Sequence, residues 1–324
     1  MTDAPVRLGM TEAPVRIGGA AFLMGSDAHY PEEAPAHRVT VSTFEIDRHQ
    51  VTNHQFAAFV AATGYVTLAE RPLDPADFPG APPENLVPGS LVFRRTAGPV
   101  DLRHISQWWA WTPGACWRRP EGPASSLDGR EDHPVVHVAF EDAERYASWA
   151  GKGLPTEAQW EMAARGGLQG ATYTWGDAPE APGDRRANYW HGAFPWRPEA
   201  GYGKTTPVGS FAPNGHGLFD MAGNVWEWTT DWYSSQHPDA PEHPCCGPVD
   251  PRGGTEDGSL DPTQLQFSIP RKVIKGGSFL CADSYCLRYR PAARRPQMID
   301  TGMSHLGFRC AHAPAAGADV SDVR

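Results

Sequence analysis

The apolar positions of this chain come in short bursts separated by Gly- and Pro-rich breaks, a pattern that predicts many small elements. Val15-Arg16-Ile17 and Ala21-Phe22-Leu23-Met24-Gly25 flank the Gly18-Gly19 turn and read as short strands. Val39 to Val41 and Phe44 to Ile46 read as two more. A helical period follows: Thr52-Asn53 caps a helix carrying Phe56, Phe59 and Val60, ended by Gly64. Residues 69–99 are rich in Pro and Gly and predict a long surface excursion. Two further helices are expected. One runs from about Glu141 to Ala150 and stops at Gly151; the other starts at Thr156, with Gln159 completing a capping box, and ends before Gly166-Gly167.

The segment His133-Pro134-Val135-Val136-His137 places two imidazoles four residues apart, a familiar ligand spacing. Pro134 and the neighbouring β-branched residues favour a strand, which would put both rings on one face. No third ligand at fixed spacing accompanies them, so they read as structural histidines, and a histidine iron site is rejected. Trp108, Trp109, Trp111 and Trp117 form a cluster whose expected role is packing first and groove lining second.

Composition narrows the class. With 34 Gly and 32 Pro among 324 residues, little regular structure is expected, yet 12 Trp need a place to be buried. A net charge of −10 and a pI near 5.7 argue against nucleic-acid binding, and no apolar run is long enough to span a membrane. Residues 1–9 (MTDAPVRLG) recur almost unchanged as 10–18 (MTEAPVRIG), which suggests alternative starts or a tandem duplication. No internal stretch has linker composition. The expected organisation is a flexible extension over 1–14, one domain over 15–313 and a flexible tail over 314–324. The N-terminus lacks a basic region followed by an apolar one, so a cytoplasmic protein with reduced thiols is expected, acting as a monomer.

Candidate chemistry concentrates between Lys275 and Cys310, which holds three of the six cysteines. Cys281 and Cys286 are separated by four residues. A strand would point them to opposite faces, and a helix would leave them about 140° apart, so sulfurs serving one site require a turn between them. A thiolate pair suits a soft ion such as Cu(I), whereas structural zinc wants four ligands. By spacing alone, a disulfide or two buried apolar fillers remains the alternative.

The surrounding residues resemble a known family. Lys275-Gly276-Gly277-Ser278, Cys281, Ser284-Tyr285-Cys286, Arg288-Tyr289-Arg290 and Leu306-Gly307-Phe308-Arg309-Cys310 closely resemble, in order, the signature of formylglycine-generating enzymes. Leu154-Pro155-Thr156-Glu157-Ala158-Gln159-Trp160-Glu161 is similar to a phrase of the wider sulfatase-modifying-factor family and marks its fold. The resemblance implies an α+β, single loop-rich domain of the variant C-type-lectin-like type. It also implies copper-dependent oxidation by O₂ of a peptidyl cysteine, usually in a Cys-x-Pro-x-Arg segment of a nascent or unfolded sulfatase, to Cα-formylglycine. Cys281 and Cys286 would hold Cu(I), with the substrate cysteine as a third sulfur ligand. Ser278 would offer its hydroxyl where oxygen binds, while Tyr285 and Trp226 shape the pocket. The substrate thioaldehyde then hydrolyses to formylglycine.

A second motif, Asp220-Met221-Ala222-Gly223-Asn224-Val225-Trp226-Glu227, sets two carboxylates around a tight turn. Such a turn can aim oxygens at a hard Ca²⁺ ion, or can simply be capped by Asp220 with Glu227 paired to a base. The resemblance implies structural calcium held by the side chains of Asp220 and Glu227 and the carbonyls of Gly223 and Val225. A second calcium site of the family matches less completely. Asn188 and the carbonyls of Tyr189 and Tyr202 fit, but its acidic ligand falls on Ala200, with Glu199 adjacent. Other departures are His305 in place of an asparagine near the substrate groove, and Pro291 in place of a disulfide-bonded cysteine. The partner position of Cys310 is Ala164. Cys245-Cys246 receives no family role. The rival readings are a non-catalytic ligand-binding member of the same fold, an iron sulfoxide synthase lacking its helical domain, and a redox switch using Cys281 and Cys286.

Overall fold

A computed structural model describes residues 13–75, 82, 86–181, 183–238, 247–264 and 268–312. The first copy of the N-terminal repeat, Cys245-Cys246 and the tail lie outside the described residues. The four early apolar bursts become strands β1 (Val15–Ile17), β2 (Ala20–Met24), β3 (His37–Val41) and β4 (Phe44–Ile46). Strands β2 and β3 form an antiparallel hairpin, and β1 pairs antiparallel with β4. Helix α1 (Asn53–Thr63) begins as its cap chemistry dictates. Thr52 Oγ1 accepts the Gln55 N–H, Gln55 Oε1 accepts the Thr52 N–H, and Gly64 closes the helix at φ +68°.

The Pro/Gly-rich stretch is not wholly a surface excursion. Its end, β5 (Gly89–Phe93), pairs in antiparallel register with β6 (Trp109–Pro113). Val92 is buried there, and the Phe93 ring meets Trp190 at 5.8 Å. The expected strand at His133–His137 is absent: only Pro134 bridges, to Thr52, and His137 sits at φ +60°. Its valines are buried by tertiary packing, not by sheet pairing.

Helices α2 (Phe140–Trp149) and α3 (Glu157–Arg165) match the pattern expected of them, with Thr156 and Gln159 exchanging the reciprocal cap bonds of α3. The short hairpin β7 (Gly192–Ala193) and β8 (Arg197–Pro198) follows. Strand β9 (Trp226–Trp232) is buried along most of its length and takes an inner position in a sheet with β10 (Arg271–Lys275), β11 (Arg294–Met298) and β12 (Leu306–Gly307). The order is β11-β10-β9-β12, antiparallel except for the parallel β9–β12 pair. Strand β13 (Ala311–His312) returns to pair with β4.

Two apolar clusters anchor these elements. One gathers Phe56, Tyr146, Trp226, Trp228 and Phe308, and the other sets Trp160 of α3 against Phe22, Phe44 and Ile46. Each such side chain contributes about 1.5–3 kcal/mol by leaving water. Between the clusters runs a buried ionic network. Lys275 Nζ lies 3.0 Å from Glu161 and 3.6 Å from Glu157, Arg294 lies 2.7 Å from Glu157, and Arg165 lies 2.7 Å from Glu161. Arg290 pairs with buried Glu33 at 2.9 Å. Burial alone would raise the carboxyls of Glu157 and Glu161, but the Arg294, Lys275 and Arg165 charges overcome it and hold both at about 2. Because Lys275 precedes the 276–293 loop and Arg290 and Arg294 close it, the network clamps both loop ends to the body of the protein. Among the described residues no helix is long and apolar enough to cross a membrane.

Candidate functional site

The 276–293 loop owes its path to two glycines. Gly276 and Gly277 adopt φ +94° and +72°, and a Cβ on Gly277 would meet the Arg288 carbonyl and Tyr289 backbone at 2.9 Å. The chain then turns as the cysteine offset requires. Ala282 O accepts from the backbone N–H of both Tyr285 (2.9 Å) and Cys286 (2.6 Å), which returns Cys286 towards Cys281. Their sulfurs stand 3.5 Å apart, far beyond the S–S bond of about 2.05 Å, so these are two free thiols. The Ser278 N–H points at Cys281 Sγ at 3.4 Å, and Arg288 Nη1 lies 3.8 Å from Cys286 Sγ.

The two sulfurs differ electrostatically. Burial pushes the Cys281 thiol up, and the adjacent Cys286 charge adds to that. Cys286 is held down chiefly by the hydrogen bond from Cys281 and, against burial, by the Arg288 charge. Within the pair these effects favour the proton on Cys281 and the negative charge on Cys286. Two converging sulfur donors are the donor chemistry a soft monovalent ion takes.

Both sulfurs face a cavity of about 280 Å³, bordered also by Ser278, Trp226, Tyr285 and His305. The Tyr285 ring stacks on Phe194 at 4.8 Å and meets Trp108 edge-on at 5.7 Å. The Trp run thus divides: Trp108 and Trp109 line the cavity, Trp117 packs against Phe56, and Trp111 is exposed. His305 lies against Trp109 at 4.8 Å, and burial, aided by the Arg295 charge, holds its pKa at about 3, so it is neutral at physiological pH. Sequence reasoning missed Phe194 and Arg295 as lining residues. Neither carries a motif, and only tertiary packing brings them here. His133 and His137 do not share a site. His133 Nδ1 lies 2.9 Å from Thr205 Oγ1, while His137 is fully buried between Ser90 Oγ and Pro120 O, each at 2.8 Å.

The Asp220–Glu227 turn leads into β9, whose first residue, Trp226, borders this cavity. Asp220 and Asn224 have positive φ, and Gly223 could bear no Cβ, which would fall 2.2 Å from the Asn188 carbonyl. Glu227 accepts from Arg309, Trp160 and Gln50, and Asp220 Oδ2 accepts the Gly209 N–H at 2.7 Å. Gln50 Oε1 is buried and has no donor among the described residues. At the other candidate site Asn188 Oδ1 is likewise buried without a partner, but Glu199 is turned to Arg185 at 2.6 Å. Each place thus holds a buried carboxamide oxygen with no donor among the described residues, which a hard cation could satisfy, and the missing acid at Ala200 makes the Asn188 set the poorer one.

The profile of the family described as "Sulfatase-modifying factor enzyme 1-like domain" matches residues 3–314. The formylglycine-generating enzyme of Mycobacterium tuberculosis is 55% identical over 302 residues, covering 92% of this chain and 97% of the relative. The chain belongs to the formylglycine-generating enzyme family. Its member from Thermomonospora curvata is 48% identical over 304 residues, covering 92% of each chain. Among solved structures, PvdO from Pseudomonas aeruginosa superposes with a TM-score of 0.60 at 24% identity, covering 93% of this chain and 94% of that one. That likeness shows the fold, which is the α+β, loop-rich architecture of the formylglycine-generating enzyme family. Within this family fold Cys310 is free and fully buried, and Pro291 and Ala164 are buried too.

Proposed function

We propose that this protein is a copper-dependent oxidase that converts a cysteine in a Cys-x-Pro-x-Arg segment of a nascent or unfolded sulfatase to Cα-formylglycine, with O₂ as oxidant. The observation that carries this reading is the convergence of Cys281 and Cys286 sulfurs, 3.5 Å apart, on one cavity. Copper held by these thiolates would supply a soft position for the substrate thiolate and a redox partner for O₂. The chain does the rest. The loop turn fixes the sulfurs, the Arg288 charge favours the thiolate, and the Tyr285, Trp108 and Phe194 rings exclude water around the target Cβ. Ser278, whose Oγ accepts the Leu280 N–H at 3.2 Å, borders the same space and would offer its hydroxyl where oxygen binds.

Structural calcium is proposed at Asp220, Gly223, Val225 and Glu227, and less firmly matched at Asn188, Tyr189 and Tyr202. A cytoplasmic setting is proposed on the free state of the described cysteines Cys116, Cys281, Cys286 and Cys310, which suits a reducing compartment. The test is aerobic incubation of the copper-loaded protein with a Cys-x-Pro-x-Arg peptide, read by mass spectrometry. Loss of sulfur with gain of an aldehyde is expected. An unchanged peptide, with Cys281 and Cys286 oxidised to a disulfide, would indicate the redox-switch reading instead.

A further inference from the structure

We propose that the side-chain oxygen of Gln50 is a ligand of the calcium ion at the Asp220–Glu227 turn. This rests on the calcium reading above and adds a residue 170 positions away from the motif. The backbone on either side of Gln50 is fixed, because the Val51 N–H donates to Phe308 O and the Asp47 N–H donates to Cys310 O, each at 2.9 Å. Its side chain reaches from there to the turn. Gln50 Nε2 lies 3.0 Å from Glu227 Oε1, 3.1 Å from the Val225 carbonyl and 3.4 Å from the Asp220 carbonyl. Two N–H groups therefore face three acceptors, while Oε1 is buried with no donor among the described residues.

A buried carboxamide that spreads its donors thinly and orphans its acceptor is poorly matched to a metal-free pocket. Turning the amide by half a revolution exchanges its oxygen and nitrogen at almost no cost in shape. Its oxygen would then join those of Asp220, Val225 and Glu227. Arg309 Nη2 offsets part of their mutual repulsion, donating to Glu227 Oε1 at 2.8 Å and to the Asp220 carbonyl at 3.3 Å. Separations of 3.0–3.4 Å are, however, those between neighbouring ligands of an ion that holds each oxygen at about 2.3–2.6 Å. At Asp220 the oxygen facing this point is the main-chain carbonyl. Charge agrees: Asp220 and Glu227 are both buried, and Arg309 compensates only one of them, lying 2.7 Å and 2.8 Å from the two Glu227 oxygens. A hard divalent cation meets that excess.

Calcium titration of the EDTA-treated full chain by calorimetry, paired with melting in EDTA and in Ca²⁺, tests the assignment. Gln50→Leu should bind Ca²⁺ at least about tenfold more weakly than the native protein and lose its calcium-dependent rise in melting temperature. Gln50→Glu should bind at least about tenfold more tightly yet melt lower in EDTA, because the buried site then holds a third carboxylate with only Arg309, among the described residues, to offset it. If Gln50→Leu fails to fold, Gln50→Glu decides alone. Native affinity in both variants overturns the role of Gln50 and leaves the calcium reading standing. Failure of the native protein to take up Ca²⁺ overturns both.

Discussion

Lys275 Nζ lies 3.0 Å from Glu161 Oε2 with both side chains fully buried, so the residue that opens the cysteine loop is pinned to helix α3 by an ion pair. Removing one partner leaves an uncompensated charge in the interior. Lys275→Met is expected to lower unfolding stability by about 3–5 kcal/mol. Urea unfolding monitored by tryptophan fluorescence measures this, and a loss below 1 kcal/mol (about the worth of an exposed pair) would contradict the clamp.

Cys281→Ser and Cys286→Ser each exchange a soft sulfur for a hard oxygen with little change in volume. Either substitution is expected to cut copper-dependent turnover at least about a hundredfold and to weaken Cu(I) retention against a chelating competitor. Unfolding midpoints recorded alongside separate lost metal from lost fold. Normal turnover by either variant with copper supplied would falsify the assignment.

Gly277→Ala places a Cβ at φ +72°, 2.9 Å from the Arg288 carbonyl. The expected cost is about 1–3 kcal/mol of stability, and any relief moves Arg288 away from Cys286. Turnover should fall further than the stability loss explains. Gly64→Ala serves as control, since it shares a positive φ but meets nothing within 4 Å.

Acid should act through buried histidines. Burial holds His137 and His237 at about 4 and His305 at about 3, against 6.5 for the ordinary side chain. The folded values are depressed, so the unfolded chain binds protons first as pH falls. Stability is full above pH 6.5 and is lost progressively on the way down to about pH 4, by about 3 kcal/mol for each such histidine. Unfolding at pH 5 should therefore take up about three protons from these residues, measured as the slope of unfolding free energy against pH. Replacing His305 by Asn should remove about one of them.

What could be read in advance follows the range over which each interaction acts. The caps of α1 and α3 were legible because Thr52 with Gln55, and Thr156 with Gln159, settle the matter within one turn. The turn between Cys281 and Cys286 followed from their offset once both sulfurs were taken to serve one site, as the family resemblance implied. Strand β5 was hidden because its partner β6 lies beyond a Pro/Gly-rich stretch that resembles loop throughout. The His133–His137 segment misled because its branched residues answer to the core around Val51 and Phe308, and His137 adopts a backbone conformation that breaks the two-residue alternation. Gln50 gave no hint at all: nothing local distinguishes it, and its partners are supplied by the turn after Asp220.

Strand β13 beside β4, and β12 beside β9, give the last described residues a role in timing. During synthesis both cysteines emerge before His305, Arg309 and the two strands that seat them. A chain grown only to residue 300 would thus hold the sulfur pair without the His305 wall or the Arg309 anchor of Glu227. The cavity around the two thiols is therefore walled only once residues 305–309 have packed, so closing the sheet and finishing the site are one event.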